Sequence, residues 1–187
     1  MGIINGRELK RVKKHFPKAK KAVLGEGPKH ARLMFIGEAP GRQEDTTGRP
    51  FVGRAGRFLD KVLAEVGISR KECFITSVVK FLPAARTPDK KEIELCLPLT
   101  LQQIKEIKPQ VICLLGNIAL NSLLDAKANV GQVHGKVLLQ GGIKWIATFH
   151  PAAAMRNRRL AKMFREDLKR VKNILNLSSP ARKSAHR

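Results

Sequence analysis

The sequence predicts an α/β fold of three layers, in which helices cover both faces of a short, mainly parallel sheet of four strands. Two observations lead to this prediction. Short apolar runs alternate along the chain with segments whose apolar residues recur every three or four positions. Several of the apolar runs end abruptly in glycine, proline or a polar residue. Strands that alternate with helices form a parallel sheet that is covered on both sides.

The first third of the chain supplies a basic segment, one strand and one helix. Residues 1–22 are rich in lysine and predict a short helix before Pro17, which must pack against the rest of the protein or stay mobile. The apolar run 32–37 predicts the first strand. Residues 55–66 carry a single apolar stripe and end at Gly67, as expected for a capped amphipathic helix.

The middle of the chain repeats this order. Residues 72–79 predict the second strand, and residues 110–115 predict the third. The helix predicted between them, over residues 89–107, contains Pro98, which should bend or break it. A short helix is predicted over residues 117–125.

The last third completes the predicted domain. Residues 136–140 predict a minor strand, and residues 143–149 predict the fourth main strand. One long helix is expected from Pro151 to about residue 176. We therefore expect residues 1–176 to form a single domain, followed by a basic, disordered tail over residues 177–187.

The charge of the chain indicates a polyanionic partner. The sequence has 37 Lys and Arg against 15 Asp and Glu, which gives a net charge of +22. Residues 1–32 hold ten basic and two acidic residues, and residues 156–187 hold eleven and two. Nucleic acid is the first interpretation. An anionic membrane surface is the second, and a solubility adaptation is the third.

Other features of composition favour an intracellular protein in the cytoplasm, nucleoid or nucleus. The chain has no run of 18 apolar residues and begins without a secretory signal, so we expect no association with a membrane. Its three cysteines, which cannot all pair, suggest a reduced compartment.

Polar residues follow the ends of the predicted strands. They are Glu38, Ser77, Asn117 and His150. Because the carboxyl ends of parallel strands meet at one edge of the sheet, these side chains should line a single cleft. Gly37 and Gly41 flank Glu38 and would let a ligand approach the backbone closely.

Four motifs in this order resemble the uracil-DNA glycosylase superfamily, most closely its family 4, which normally carries an iron–sulfur cluster. The sequence Gly-Glu-Ala-Pro-Gly over residues 37–41 and His-Pro-Ala-Ala-Ala-Met-Arg over residues 150–156 are the two main motifs. Arg-Pro-Phe-Val-Gly over residues 49–53 and Phe-Ile-Thr-Ser-Val-Val-Lys over residues 74–80 are the others. The resemblance spans roughly residues 23 to 175.

The resemblance implies a monofunctional DNA glycosylase of base excision repair, a hydrolase that flips a damaged base out of DNA and removes it with water. His150 and Glu38 are the implied catalytic residues. His150 would donate a hydrogen bond to the base oxygen that gains negative charge, although a structural histidine with satisfied hydrogen bonds is the alternative. Glu38 would orient water or stabilise the sugar cation. The best-studied relatives carry an Asp where this chain has Ala39, so its role passes to Glu38 or is absent.

The resemblance also implies a set of base-binding residues: Gly37, Ala39, Gly41, Glu44, Phe51 and Ser77. Phe51 would stack on the flipped base, although a loop aromatic tucked into the core is the alternative. Backbone amides of residues 37–41 could hold a base oxygen. Glu44 would exclude the methyl group of thymine, whereas the neighbouring Asp45 is expected to be a solvated or capping carboxylate.

DNA contacts are implied for a further set: Arg54, Lys80, Met155, Arg156, Arg158 and Arg159. The arginines would hold phosphates. Met155 would enter the gap left by the flipped base, as apolar wedges do in other DNA-binding proteins. The alternative is that this run is only the basic start of a helix.

The chain departs from family 4 at the metal site. The family uses four cysteines, but only Cys96 matches one of these positions, and Phe81 stands where another is expected. Cys73 and Cys113 lie in predicted strands and are expected in the core. One cysteine cannot hold a cubane cluster, so we predict no iron–sulfur cluster and no other metal.

A second departure concerns the base. Ser77 replaces the Asn that the family usually carries, and a hydroxyl lacks the paired donor and acceptor of an amide. Uracil is therefore the first choice of base, and hypoxanthine or xanthine stays open. Two alternatives to an enzyme remain: a non-catalytic protein that binds DNA lesions, and an unrelated basic nucleic-acid-binding domain. DNA with a damaged base is the expected partner, and a monomer is the expected state.

Overall fold

A five-stranded sheet forms the middle layer of the protein in a computed structural model that describes residues 6–85, 87–124 and 127–177. The strand order is β2-β1-β3-β5-β4. The strands are β1 Leu33–Gly37, β2 Cys73–Ser77, β3 Val111–Leu115, β4 Val137–Gln140 and β5 Ile143–Thr148. Four of them are parallel, as predicted, and the minor strand β4 adds a fifth by pairing antiparallel with β5.

Helices cover both faces of this sheet, which confirms the predicted α/β class. The helices are α1 Gly6–Lys13, α2 Arg42–Thr47, α3 Arg54–Glu65, α4 Lys90–Ile107, α5 Asn117–Leu124, α6 Val130–Val133, α7 Pro151–Ala154 and α8 Arg158–Leu177. Alternate residues of β1 enter the two cores: Met34 and Ile36 pack with α4 and α5, and Leu33 and Phe35 pack with α3 and α8. No helix in the described part of the chain is long and apolar enough to cross a membrane.

Helix α4 is continuous, so Pro98 does not break it, and the other expectation, a bend at Pro98, stays a prediction. Pro98 lies on an exposed face, where water can hydrate the carbonyl group that the missing N–H leaves unpaired. The start of the helix is well fixed by a capping box. The Asp89 carboxylate accepts a hydrogen bond from the Glu92 amide at 2.7 Å, and the Glu92 carboxylate accepts one from the Asp89 amide at 3.0 Å.

The C-terminal helical region is two helices rather than the single long one expected. Helix α7 ends at Ala154 and α8 begins at Arg158. Asn157 lies between them, and its side-chain oxygen accepts a hydrogen bond from the Leu160 amide at 3.1 Å, which caps α8. Of the predicted tail, only Leu177 is described, as the last residue of α8; residues 178–187 lie outside the described part of the chain.

The basic N-terminal segment packs onto the body of the protein. Val12 and Phe16 are buried, and the Phe16 ring stacks on Phe81 with centroids 5.2 Å apart. Asp45 secures the segment further, since its carboxylate accepts hydrogen bonds from the amides of Lys20 and Lys21 at 2.8 and 3.2 Å. Asp45 is 3% exposed, and the two amides that it binds lie outside any helix, so the expectation of a solvated or capping carboxylate was wrong.

Candidate active site

A cleft of about 700 Å³ opens at the carboxyl ends of the parallel strands. Glu38 after β1, Ser77 at the end of β2 and His150 after β5 all line it, as the strand-end argument predicted. Phe51 enters from the loop before α3. A cleft of this size is typical of small-molecule sites and can hold a nucleobase with part of its sugar.

Asn117 does not belong to this cleft, contrary to the expectation from its position after β3. Its side chain turns to the loop before α6, where the amide oxygen accepts a hydrogen bond from the Val130 amide at 2.7 Å. Asn117 therefore joins the start of α5 to the start of α6. The cleft is built from three strand ends instead of four.

The proton of the His150 ring can be assigned from its hydrogen bond. His150 is the residue before α7, and its Nδ1 accepts a hydrogen bond from the Ala152 amide at 3.2 Å. Burial, and secondarily the positive charge of Arg156, lowers the pKa of His150 from 6.5 to about 4. The ring is thus neutral near pH 7 with its proton on Nε2, which makes Nε2–H a donor on a residue that lines the cleft.

Glu38 is a half-buried carboxylate in the same cleft. Burial raises the pKa of Glu38 above its ordinary value. Among the described residues no side chain forms a hydrogen bond or ion pair with this carboxylate. The Glu38 carbonyl oxygen accepts a hydrogen bond from the Val79 amide at 3.0 Å, which fixes the turn to the strand beside it. The carboxylate is therefore available to a ligand or a water molecule.

Phe51 is 7% exposed and packs in the core with α3 and α8, as the alternative expected, and its ring also lines the cleft. Its backbone is held in an uncommon conformation. Its φ is 50°, in the left-handed region that residues with side chains rarely adopt. Its ring lies directly against Gly37, where an added Cβ would overlap Phe51 Cζ and come within 2.9 Å of Cε2. The Phe51 and His150 ring centroids are 6.2 Å apart with planes inclined by 37°. The absence of a side chain at Gly37 thus determines how closely the ring approaches the strand end.

Glu44 connects two loops at the wall of the cleft. Its Oε1 accepts hydrogen bonds from the amides of Val52 and Gly53 at 2.9 and 2.7 Å, and its Oε2 accepts one from the Gly41 amide at 3.1 Å. The Gly41 amide is therefore engaged by Glu44, so it is not free to hold a base oxygen as expected. Both residues line the cleft, as does Ala39. The expected exclusion of thymine by Glu44 stays a prediction.

Lys80 cannot contact DNA phosphates, contrary to the expectation, because its side chain is completely buried. The ammonium group donates hydrogen bonds to Thr76 Oγ1 and Gln103 Oε1, both at 2.8 Å, and to the Ser77 carbonyl oxygen. Burial lowers the pKa of Lys80 from 10.5 to about 7. Lys80 supports the end of β2 from behind, and Ser77, itself 3% exposed, is the residue of that strand end that lines the cleft.

The remaining predicted DNA contacts surround the cleft. Arg54 and Arg156 line it, and Arg158 and Arg159 are exposed at the start of α8. Met155 is partly buried between α7 and α8. Arg42, which was not predicted from the sequence, also lines the cleft and follows the Gly-Glu-Ala-Pro-Gly turn directly. A basic residue placed directly after two turn residues at a strand end could have indicated this position from the sequence.

The cysteines do not fit a four-thiolate cluster. The whole chain has only three, and Cys96 lies in the core on one face of the sheet while Cys73 and Cys113 lie in the core on the other. Burial raises the pKa of each thiol, which disfavours the thiolate that a cluster requires. Within residues 6–85, 87–124 and 127–177 no three His, Cys, Asp or Glu side chains are grouped to hold a metal.

The fold and cleft define a protein of the uracil DNA glycosylase superfamily: a model of that family matches residues 24–173, and the chain belongs to it. Among curated relatives, the type-4 uracil-DNA glycosylase of Thermotoga maritima is 43% identical over 158 residues, which cover 82% of each chain. That of Pyrobaculum aerophilum is 43% identical over 80% of this chain and 81% of its own. That of Saccharolobus solfataricus is 42% identical over 84% and 77%.

Proposed function

We propose that this protein is a DNA glycosylase that removes uracil, the product of cytosine deamination, from DNA and so begins base excision repair. The observation that carries the proposal is a neutral His150 with its proton on Nε2, in one cleft with Glu38 and Phe51. This set provides the donor, the carboxylate and the aromatic face that hydrolysis of an N-glycosidic bond in a flipped pyrimidine nucleotide requires. Family membership and the names of the relatives support the same reaction.

In the proposed reaction the base first leaves the DNA stack and packs against the Phe51 ring. The bond between the sugar C1′ and the base N1 then breaks, and its electron pair passes to the base. His150 Nε2–H donates a hydrogen bond to the base oxygen on which negative charge develops. The ring can perform this task at pH 7 because its neutral form already carries the proton on Nε2, with Nδ1 engaged by the Ala152 amide.

Glu38 acts on the sugar side of the same bond. Water adds to C1′ and loses a proton, and an unpaired carboxylate can accept that proton or stabilise the cation on the sugar. The raised pKa of Glu38 makes it a stronger base than an ordinary glutamate. No lysine is assigned a Schiff-base role, so the product is an abasic site with an intact strand.

The DNA grip is assigned to Arg54, Arg156, Arg158 and Arg159, with Met155 as the apolar wedge. The exposure of these four arginines around the cleft and the net charge of +22 support their assignment.

We further propose that the protein acts as an intracellular monomer without a metal cofactor. A purified sample should lack both iron and the visible absorbance of an iron–sulfur cluster. A coloured sample with four iron atoms per chain, the content of a cubane, would contradict the absence of a metal cofactor.

Alkali-induced strand cleavage tests the reaction. Labelled oligonucleotides with one uracil, hypoxanthine, xanthine or thymine, single- and double-stranded, are incubated with the wild type and with Glu38→Ala and His150→Ala. We expect cleavage at uracil by the wild type only, while both variants still bind DNA. Cleavage at a purine would mean that Ser77 has changed the choice of base. Binding without any cleavage would favour a non-catalytic lesion-binding protein.

A further inference from the structure

We propose that Arg70, which does not line the cleft, is the positioning residue that holds Phe51 in place for catalysis; the inference rests on the proposed function. Arg70 begins the short 3-10 helix Arg70–Glu72 that follows α3. Its side chain is 22% exposed, which is low for an arginine at the surface of a protein with this much positive charge. Its hydrogen bonds explain the burial.

The guanidinium group connects three separate parts of the chain. It donates to the Pro50 carbonyl oxygen at 2.8 Å and, at the longer distance of 3.5 Å, to the Phe51 carbonyl oxygen. It also forms ion pairs with Asp60 of α3 at 2.6 Å and with Glu26 at 3.2 Å. Only the flat, forked guanidinium group can reach acceptors in several directions at once, so a lysine could not reproduce this arrangement.

The bonds of Arg70 hold the loop before α3, which contains Phe51 with its strained backbone. A positive φ at a phenylalanine persists only where the surroundings enforce it. Arg70 binds the carbonyl groups of Pro50 and Phe51, and Glu44 binds the amides of Val52 and Gly53. The loop is therefore fastened on both sides of the Phe51 ring.

Helix α3 packs tightly against the same loop. A Cβ at Gly56 would overlap the Phe51 carbonyl oxygen, so Gly56 lets the helix approach the backbone of Phe51 directly. Asp60 lies one turn further along α3 and forms the shorter of the two ion pairs of Arg70. Arg70 thus fixes the loop with respect to the helix on which it rests.

The consequence for catalysis is a fixed ring. The Phe51 ring faces Gly37 and lies next to His150, so a shift of the loop would move the stacking surface relative to the histidine donor. A misplacement of about 1 Å can lower the rate of a chemical step by about a hundredfold. Arg70 touches neither base nor DNA in this arrangement, and it acts through Phe51.

The experiment compares Arg70→Gln and Arg70→Lys with the matched control Arg165→Gln. Arg165 pairs with Glu65 at 2.6 Å between α8 and α3 and, among the described residues, forms no hydrogen bond or ion pair with the Phe51 loop. The readouts are the single-turnover rate of uracil excision and the affinity for undamaged duplex. We expect both Arg70 variants to excise uracil about 10 to 100 times more slowly, with unchanged duplex affinity, and Arg165→Gln to match the wild type.

A double-mutant cycle with Phe51→Ala separates positioning from a general loss of structure. If Arg70 acts through Phe51, Arg70→Gln should cost less than about twofold in the Phe51→Ala background. Arg70→Lys guards against misfolding, since it keeps a cation between Asp60 and Glu26 but loses the fork. Added guanidinium should partly restore an Arg70→Ala variant, relative to sodium chloride at equal ionic strength.

Wild-type rates in the Arg70 variants, or an equal loss with and without Phe51, would overturn this inference. Failure of the proposed function would be a different result, since the wild type itself would then leave uracil in place.

Discussion

Lys80 makes the stability of the protein depend on pH in a way that one substitution should remove. The ammonium group is completely buried, and its pKa falls from 10.5 to about 7 on folding. Between these two values the unfolded chain binds a proton that the folded chain does not. Stability therefore rises with pH across this window and is constant below it. Lys80→Met abolishes this dependence because methionine does not titrate.

The size of the effect follows from the shift. Each pKa unit corresponds to about 1.4 kcal/mol, so the whole shift of 10.5 to about 7 amounts to about 5 kcal/mol. Between pH 7 and pH 9 the two titration curves give a gain of about 2 kcal/mol for the wild type. The gain in stability is smaller than the free energy of two full pKa units, because Lys80 is still half protonated in the folded state at pH 7.

The assay is urea unfolding of the wild type and Lys80→Met at pH 7, 8 and 9. The quantity of interest is the difference between the two proteins, in which the titration of the cysteines largely cancels. Lys80→Gln serves if Lys80→Met folds poorly, since an amide can still bond to Thr76 and Gln103. A difference that stays constant across these pH values would show that Lys80 keeps its proton in the folded protein and would contradict this prediction.

Four further predictions concern the cleft and the basic residues around it. His150→Gln should lower the single-turnover rate of excision about 10² to 10³-fold. The ratio of the variant rate to the wild-type rate should stay constant from about pH 5.5 to about pH 8, because the wild-type ring is neutral throughout. A ratio that changes near pH 6.5 would indicate an imidazolium. Glu38→Gln should lose activity but melt at a higher temperature than the wild type at neutral pH, because the fold disfavours the ionised carboxylate that it removes; a lower melting temperature would contradict this. Gly37→Ala should reduce excision of uracil without weakening binding to undamaged duplex, since the new Cβ displaces the Phe51 ring; a wild-type rate would refute it. Arg159→Gln should reduce the slope of log affinity against log salt by about 0.9, as for one lost phosphate contact, and an unchanged slope would remove Arg159 from the DNA interface.

The sheet, its order of elements and most of the cleft could be predicted because they depend on local patterns. Apolar runs that end in turn residues fix where strands end, and parallel strands bring those ends together. Glu38, Ser77 and His150 meet for this reason. The division between α7 and α8 was also readable, because Asn157 is a good capping residue one position before Arg158.

The failures involve partners that are distant in sequence. Lys80 looks like a surface lysine until Gln103 of α4, 23 residues away, provides an acceptor behind β2. Arg70 contacts Glu26, which is 44 residues away. Asn117 follows a strand end, as the pattern requires, but its side chain accepts a hydrogen bond from the Val130 amide instead of facing the cleft. Only the tertiary fold determines whether a polar side chain faces the cleft or bonds to another segment.

The stacking of Phe16 on Phe81 gives the attachment of the N-terminal segment a particular dependence on temperature. Contacts between apolar rings weaken on cooling, because the hydrophobic effect is largely entropic near room temperature. Val23, directly after this segment, lines the cleft, and its amide donates a hydrogen bond to the Lys80 carbonyl oxygen at 2.8 Å. Cooling should therefore loosen one wall of the cleft. The rate of the reaction should then fall more steeply on cooling than the activation energy of the chemical step alone would predict.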